Sequence, residues 1–181
     1  HEVDTIKDCV KDHDGNIACL VGEKETYLAD MFIDCTGFKS SILGGMMGVE
    51  WDNFDFLINN KAWAVKTAYT DKKTEMTNHT QCTALDNGWV WHVPLTTRIG
   101  TGYNFSDKFI SEEDALEEFK KFLGDRPLLS EPRLITWRNG IAKKVWCKNV
   151  VGVGLSAGFI EPLESNGLLS VHNFAVFLAD S

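Results

Sequence analysis

The stretch NVVGVGLSAGFIEPLESNGLL, residues 149–169, decides the fold of this chain. Residues 149–154 form a continuous apolar run, which is typical of a strand buried on both faces. A glycine-rich exit, an extended segment fixed by Pro162 and a helix from about Gly167 follow. In open α/β sheets, ligands lie beyond the carboxyl ends of strands, where helix N-termini present unpaired N–H groups. The pattern fits an anion or the edge of a cofactor ring at Ser165, Asn166 and Gly167, and it also fits an ordinary helix cap.

A second apolar strand ends in the same way. ADMFIDCTGF, residues 29–38, finishes in a small residue and Gly37. Because glycine has no Cβ, a cofactor can approach the backbone closely there. A tight turn explains the same residues.

The remaining segments favour antiparallel strands and one clear helix. We expect a small meander over residues 3–33 that feeds a final apolar strand, and a short helix over 39–48 that its glycines weaken. SEEDALEEFKKFLG, residues 111–124, reads as a helix that Ser111 caps and Gly124 ends. Further strands are expected at 61–70, 80–85, 88–94, 98–105, 132–140 and 142–147. The fold class is therefore α+β or α/β, with an antiparallel layer attached to part of a mixed sheet.

Composition and charge exclude several classes of function. The chain of 181 residues has a net charge of −8, and its 18 Lys and Arg residues are scattered, which argues against a nucleic-acid partner. No apolar run approaches the ~20 residues of a membrane helix, so we expect no membrane association and a cytoplasmic location. The five cysteines lie far apart, without a metal-ligand spacing, and read as reduced core thiols; no metal site is expected. Because the chain begins at His1 inside an apparent strand, we expect it to be a piece of a longer protein.

Three motifs together carry a family resemblance. ADMFIDCTGF is similar to an FAD-fold strand that ends in a Thr-Gly turn, and GWVWHVP supplies Trp89, Trp91 and Pro94 of a paired-tryptophan motif. The third and most specific motif is the set Phe159, Pro162, Ser165 and Gly167. In this order the segments resemble the flavin-dependent halogenases, and most closely the tryptophan halogenase family, over essentially the whole chain.

The resemblance implies part of an FAD-binding, glutathione-reductase-like fold with an antiparallel β-sheet substrate layer. Residues 1–48 would belong to the FAD-binding domain, residues 49–148 to the sheet and helix layer, and residues 149–181 to a return into the FAD-binding domain. The family's GxGxxG loop and catalytic lysine would lie outside this chain. We therefore expect the isolated segment to be inactive, because it lacks the phosphate-binding half of the flavin site.

The implied chemistry is halogenation. In the family, reduced FAD from a separate flavin reductase reacts with dioxygen, and a bound chloride or bromide becomes hypohalous acid. The oxidant then reaches an indole-like or other electron-rich aromatic. The implied partners are a transient flavin reductase and a small aromatic substrate, and a homodimer is compatible with the family.

The resemblance also assigns roles to single residues. Glu164 corresponds to the active-site glutamate, and its neighbour Ser165 would orient it. The halide would be held at Asn166 and Gly167, and FAD would meet Val3, Gly37, Leu155 and Leu168. Asn166 replaces a threonine usual in the family, which predicts surviving halide binding with an altered halide preference.

Each role has a simpler alternative. Glu164 also fits an exposed acid that favours the helix dipole. Trp89 and Trp91 would crowd the space near the flavin in the family, yet two aromatics at i and i+2 lie on one strand face and are usually core residues. Trp51, Trp63, Trp137 and Trp146 are expected in the core.

Two other functions stay open at this point. One is an FAD-dependent aromatic monooxygenase, which would need neither halide nor the paired tryptophans. The other is a non-catalytic β-rich binding module, which flavin absorbance in the full-length protein would exclude.

Overall fold

The computed structural model describes residues 3–180, and of Glu164 it describes only the main chain. In chain order the first half holds β1 (Ile6–Lys11), β2 (Ile17–Gly22), β3 (Thr26–Leu28), β4 (Phe32–Asp34), β5 (Trp51–Asn53), β6 (Lys61–Thr67), α1 (Lys72–Glu75), β7 (Gln81–Leu85) and β8 (Gly88–Pro94). The second half holds β9 (Ile99–Phe105), α2 (Glu112–Leu123), β10 (Arg133–Thr136), β11 (Gly140–Ala142), β12 (Trp146–Cys147), β13 (Val150–Gly152), β14 (Gly158–Phe159) and α3 (Gly167–Asp180). The chain is thus a mixture of helices with mainly antiparallel sheets.

These elements form two compact units. The first unit comprises the chain up to Asp55 and again from Arg138, and the second comprises Phe56–Trp137. The second unit is therefore an insertion into the sequence of the first.

The first unit contains three small sheets. Strands β1, β2 and β3 form the expected antiparallel meander, and β5, β11 and β14 form a second antiparallel sheet. In the third sheet β13 lies between β12, which is antiparallel to it, and β4, which is parallel to it. All three residues of β13 are buried, which confirms the expected strand with two covered faces. Its neighbours in the core are Ile17, Leu20, Phe32, Ile42, Leu43 and Ala142.

The second unit is a five-stranded antiparallel sheet with one helix on it. The strand order is β10-β6-β9-β8-β7, and α2 covers one face. Ser111 caps α2 as expected, because its hydroxyl oxygen accepts the N–H of Asp114 at 3.1 Å. The core between sheet and helix consists of Val65, Val90, Tyr103, Phe105, Ala115, Phe119 and Leu123.

Three expected elements differ from the structure. The strand expected at 132–140 ends at Thr136 as β10, and Gly140 begins β11 in a different sheet. The strand expected at 142–147 is interrupted between β11 and β12. The N–H of Lys143 donates to Glu50 at 2.9 Å beside β5, whereas the carbonyl of Val145 accepts from Gly152 at 2.8 Å beside β13. The chain changes sheets between these two bonds, so one straight strand cannot form. The helix expected over 39–48 is a 3₁₀ turn and a π-helical turn, separated by Ser40 in the left-handed conformation with φ 44°.

Three side chains that were expected in the core are exposed. Cys35 and Cys82 are exposed, although all five cysteines are free as expected. Cys82 lies on β7, an edge strand whose residues are mostly exposed. Trp146 is 46% exposed, since its strand β12 is also at a sheet edge, and its indole N–H donates to the carbonyl of Lys148. Trp137 is buried as expected.

Candidate active site

The candidate site begins where the two parallel strands end. Val150, Val151 and Gly152 of β13 lie beside Phe32, Ile33 and Asp34 of β4 in the same direction. The N–H of Val153 then donates to the carbonyl of Asp34 at 2.9 Å. The turns that follow the two strands, Gly37–Lys39 and Gly154–Ser156, contact each other. The structure thus brings the two glycine-bearing strand exits together at one sheet edge.

A buried carboxylate organises the first of these turns. Asp34 is fully buried, and one carboxylate oxygen accepts the N–H and the hydroxyl of Thr36 at 2.8 and 2.6 Å. The other oxygen accepts the N–H groups of Ile42 and Leu43 at 3.0 and 2.7 Å. These four hydrogen bonds offset the free-energy cost of burying the charge. They also connect the turn at Thr36 to the helical turn that contains Ile42 and Leu43.

Two serines join the turns from the other side. The hydroxyl of Ser156 donates to the carbonyl of Asp34, and the hydroxyl of Ser40 donates to the carbonyl of Ser156 at 2.9 Å. Sequence reasoning missed Asp34, Ser40 and Ser156. The one available signal was an acidic residue at the end of an otherwise apolar strand, where an unsatisfied charge would be costly.

The turns leave the backbone accessible at two glycines. Gly37 has φ +71° and Gly154 has φ +69°, which only glycine adopts without strain. A Cβ on Gly37 would have no atom within 4 Å, so the space beside it is open. A Cβ on Gly154 would lie 3.3 Å from Val171 of α3. Between them, Leu155 is 37% exposed.

The sequence predicted an extended segment before α3, but the structure combines a short strand with a 3₁₀ turn there. Phe159 lies on β14 opposite Gly140, and its ring meets Phe38 edge to face at 5.2 Å between ring centroids. Pro162 begins a 3₁₀ turn that runs to Glu164. Ser165 ends this turn in the left-handed conformation, and its N–H donates to the carbonyl of Pro162 at 2.9 Å.

Helix α3 starts at Gly167 as the sequence predicted. The carbonyl of Asn166 accepts both the N–H and the hydroxyl of Ser170, at 2.9 and 3.0 Å, which places Asn166 at the cap. Gly167 and Leu168 open α3, where N–H groups have no partner within the helix itself. Leu168 is 85% exposed, and no atom lies within 4 Å of the position that a Cβ on Gly167 would take.

Two expected site residues are placed less fully. The side chain of Glu164 lies outside the described part of the structure; its main chain closes the 3₁₀ turn beside Ser165. Val3 lies ahead of β1 and is 81% exposed, and its carbonyl accepts the Lys24 ammonium at 2.6 Å.

The paired tryptophans lie in the second unit. Val90 faces α2, so Trp89 and Trp91, on either side of it in β8, point to the opposite face. Both are half-buried, and their rings meet at 6.3 Å with an interplanar angle of 64°. A Cβ on Gly102 of β9 would collide with the Trp91 ring, so the indole lies directly on that glycine. Pro94 ends β8.

Among the described side chains of residues 3–180, which leave out Glu164, no group of three or more His, Cys, Asp or Glu is arranged to hold a metal ion. The described helices also include none with both the length and the apolar composition needed to cross a bilayer.

Comparison with known proteins identifies the family. The sequence model of the tryptophan halogenase family matches residues 1–180. This chain belongs to the tryptophan halogenase family. Among curated members it is 35% identical over 175 residues to the 7-chloro-L-tryptophan 6-halogenase KtzR of Kutzneria sp. (strain 744), covering 96% of this chain and 34% of that protein.

Solved structures of family members have the same fold over this region. The tryptophan 6-halogenase SttH of Streptomyces toxytricini superposes with a TM-score of 0.93 at 34% identity, over 98% of this chain and 35% of that one. The flavin-dependent halogenase BrvH of Brevundimonas sp. BAL3 gives a TM-score of 0.89 at 33% identity, over 98% of this chain and 36% of that one. The chain therefore spans about a third of the length of the tryptophan halogenases that it matches.

Proposed function

We propose that the protein to which this chain belongs is an FAD-dependent halogenase. It would form hypohalous acid from reduced flavin, dioxygen and halide, and halogenate an indole-like or other electron-rich aromatic. The observation that carries the proposal is the family match over residues 1–180, which includes the Phe159, Pro162, Ser165 and Gly167 motif at the start of α3. The chain supplies part of such a site, and the FAD-binding fold that we infer is completed by the rest of the protein.

The strand exits fit one side of a flavin. The open space beside Gly37 and the exposed side chain of Leu155 leave the edge of the β4 and β13 turns accessible to a flat ring. Leu168, on the exposed first turn of α3, offers a further apolar contact, and Val3 would meet the adenine end. When bound, fully reduced FAD would supply two electrons and two protons, with which dioxygen, a halide ion and one further proton become hypohalous acid and water.

The start of α3 suits a halide ion. Gly167 and Leu168 are the first two residues of α3, where N–H groups have no partner within the helix itself, and the helix dipole adds partial positive charge at this end. Because Gly167 has no side chain, an anion can approach the backbone there. Asn166 is bulkier at Cγ than threonine, so its side chain would alter the space available to chloride and bromide.

Glu164 would act on the aromatic substrate. A carboxylate in a desolvated site favours the positive charge that develops on an aromatic ring when the halogen adds. The halogen of hypohalous acid adds to the ring as its O–halogen bond breaks, and the released hydroxide with the proton that the ring then loses becomes water, so one C–H bond is exchanged for one carbon–halogen bond. Ser165 has a left-handed conformation, and its N–H donates to the carbonyl of Pro162. This hydrogen bond would fix the direction of the Glu164 main chain.

The paired tryptophans would exclude the organic substrate from the flavin. Trp89 and Trp91 are large, and the contact between Trp91 and Gly102 restrains that indole. In the family the pair is thought to crowd the space near the flavin, and we carry this role over to Trp89 and Trp91 as part of the proposal.

The test uses the full-length protein with FAD, a flavin reductase and NADH, with indole as substrate. Product formation is followed by mass spectrometry with chloride, with bromide and without halide. We expect halide-dependent halogenated product, reduced at least about a hundredfold in a Glu164→Gln variant. Glu161→Gln makes the same charge change three residues upstream and serves as the control.

Three outcomes would contradict the proposal. Oxygenated product without halide would indicate an aromatic monooxygenase. Absence of bound flavin would indicate a binding module with no redox role. Equal loss of activity in both glutamate variants would remove Glu164 from the proposed role.

A further inference from the structure

The second unit contains a cavity apart from the sheet face that carries the paired tryptophans. The cavity measures about 290 Å³ and lies between α1, the C-terminal end of α2 and the edge formed by β7 and β8. Its walls include Glu75, Gln81, His92, Phe122, Leu123 and Arg126. The volume is at the lower end of the range seen for small-molecule sites.

An ion pair forms one wall of the cavity. The Arg126 guanidinium donates to the two carboxylate oxygens of Glu75 at 3.0 and 3.1 Å and to the carbonyl of Ala68 at 3.4 Å. A guanidinium has five N–H groups. Three of them make these hydrogen bonds, so two remain for another acceptor. Glu75 is occupied, because its carboxylate also accepts the N–H of Thr70 at 3.0 Å.

Two further polar side chains stand side by side on the neighbouring wall. Gln81 of β7 and His92 of β8 are directly opposite each other in the antiparallel register. Among the described residues, neither side chain has a hydrogen-bond partner. Burial, together with the charge of Arg126, lowers the pKa of His92 below its ordinary value. The imidazole is therefore neutral at pH 7, and it faces Arg126 and Glu75 as the charged groups around it.

The remaining wall is apolar. Leu123 is buried, and Phe122 is 38% exposed. The cavity thus combines free donors from Arg126, Gln81 and His92 with an apolar surface. Its formal charge is zero while His92 is neutral, because Glu75 balances Arg126.

We propose that this cavity binds a small organic monocarboxylate. The apolar body of the ligand packs on Phe122 and Leu123, and its carboxylate accepts hydrogen bonds from Arg126, Gln81 and His92. An excess of donors and a single apolar wall match this class better than a cation or a neutral hydrocarbon. The site is separate from the proposed halogenation and does not depend on it.

Binding of a carboxylate has a consequence for His92. An adjacent negative charge favours the protonated imidazole, so the bound state has a higher His92 pKa than the free state. The complex therefore takes up a proton, and affinity rises as the pH falls from about 8 toward the free-state pKa of the histidine.

The test is calorimetric titration of the full-length protein with benzoate, in buffers that differ in ionisation enthalpy. We expect saturable binding with proton uptake, and affinity at least about tenfold higher at pH 6 than at pH 8. His92→Gln should abolish the proton uptake, and Phe122→Ala should weaken binding at both pH values. His79→Gln changes an exposed histidine and should leave binding as in the wild type.

Neutral and inorganic probes separate the alternatives. Benzamide should bind more weakly than benzoate. Sodium chloride at equal concentration should not displace bound benzoate. Absence of saturable benzoate binding, proton uptake that persists in His92→Gln, or equal competition by chloride would overturn the proposal. Halogenation measured in the same preparations reports separately on the proposed function, because a protein without halogenase activity can still bind benzoate here.

Discussion

The N–H of Val153 donates to the carbonyl of Asp34 at 2.9 Å, and this bond joins the ends of two parallel strands that are more than a hundred residues apart in the chain. This hydrogen bond between Val153 and Asp34 fixes the position of the glycine turns that follow the two strands. The proposed flavin edge therefore depends on a contact that neither segment can form alone.

The Asp34 carboxylate should be essential to this edge. We expect Asp34→Asn to lower the free energy of unfolding by roughly 2–3 kcal/mol, because an amide offers an N–H group where the carboxylate accepts from Ile42, Leu43 or Thr36. Flavin affinity should fall as well. Asp30→Asn, at an exposed position, is the control. Urea unfolding and flavin fluorescence of the full-length protein measure the two effects, and similar results for both variants would contradict the assignment.

Two glycines on β9 should respond differently to an added methyl group. Gly102→Ala would force the methyl group into the Trp91 ring and to 2.6 Å from the Trp63 carbonyl oxygen, and it should destabilise the protein by about 1–3 kcal/mol. Gly100→Ala is the matched control on the same strand face, because the nearest atom to its Cβ is Leu95 Cδ1 at 4.0 Å. Thermal unfolding, followed with tryptophan fluorescence, distinguishes the two. Equal melting temperatures would contradict this close packing, because they would show that the Trp91 ring and the Trp63 carbonyl both move aside at no cost.

Tyr103 should make stability decline at high pH. Its hydroxyl donates to Glu118 at 2.7 Å, and burial together with this carboxylate raises its pKa well above the ordinary value. In the unfolded chain the phenol ionises near pH 10, so stability is complete below about pH 10 and falls above it.

Tyr103→Phe tests this directly. At neutral pH the variant should lose about 1 kcal/mol, and its difference from the wild type should shrink as the pH rises past about 10. Tyr69→Phe, which removes a hydroxyl that donates to the carbonyl of Leu95 at 2.7 Å, controls for the loss of one hydrogen bond at neutral pH. A difference that grows with pH would refute the expectation.

Glu75 should contribute stability that acid removes. Its hydrogen bonds to Arg126 lower its pKa, so its contribution is present above the unfolded-state value and is lost as the pH falls through the folded-state value. We expect Glu75→Gln to cost about 1 kcal/mol at pH 7. The variant and the wild type should converge as the pH falls below the unfolded-state pKa and through the lower folded-state pKa of Glu75. Denaturant titrations across this range, with the exposed Glu131→Gln as reference, would detect any failure to converge.

The sequence predicted correctly those elements whose ends are marked by glycine, proline or a helix-cap residue. Strand β8 has the expected bounds, Gly88–Pro94, because glycine and proline punctuate its alternating sequence. Helix α2 begins after Ser111, and α3 begins at Gly167, where a cap residue precedes an apolar run. These signals lie within a few residues of the features that they determine.

The missed features depend on contacts between distant segments. The break between β11 and β12 arises from Lys143 and Val145 pairing with different partners, Glu50 and Gly152. The role of Asp34 depends on the N–H groups of Ile42 and Leu43 and on the turn after β13. No spacing rule in the sequence encodes such pairings, and the side-chain position of Glu164, the most important proposed site residue, stays a prediction.

The insertion of the second unit has a consequence for how such proteins diversify. Its first and last strands, β6 and β10, are neighbours with Lys61 opposite Thr136, and the N–H of Trp137 donates to the carbonyl of Asn60 at 3.0 Å. Entry and exit of the chain thus lie side by side within the unit. Recombination between related genes at two nearby junctions could exchange the whole tryptophan-bearing layer as one cassette, with its own core intact.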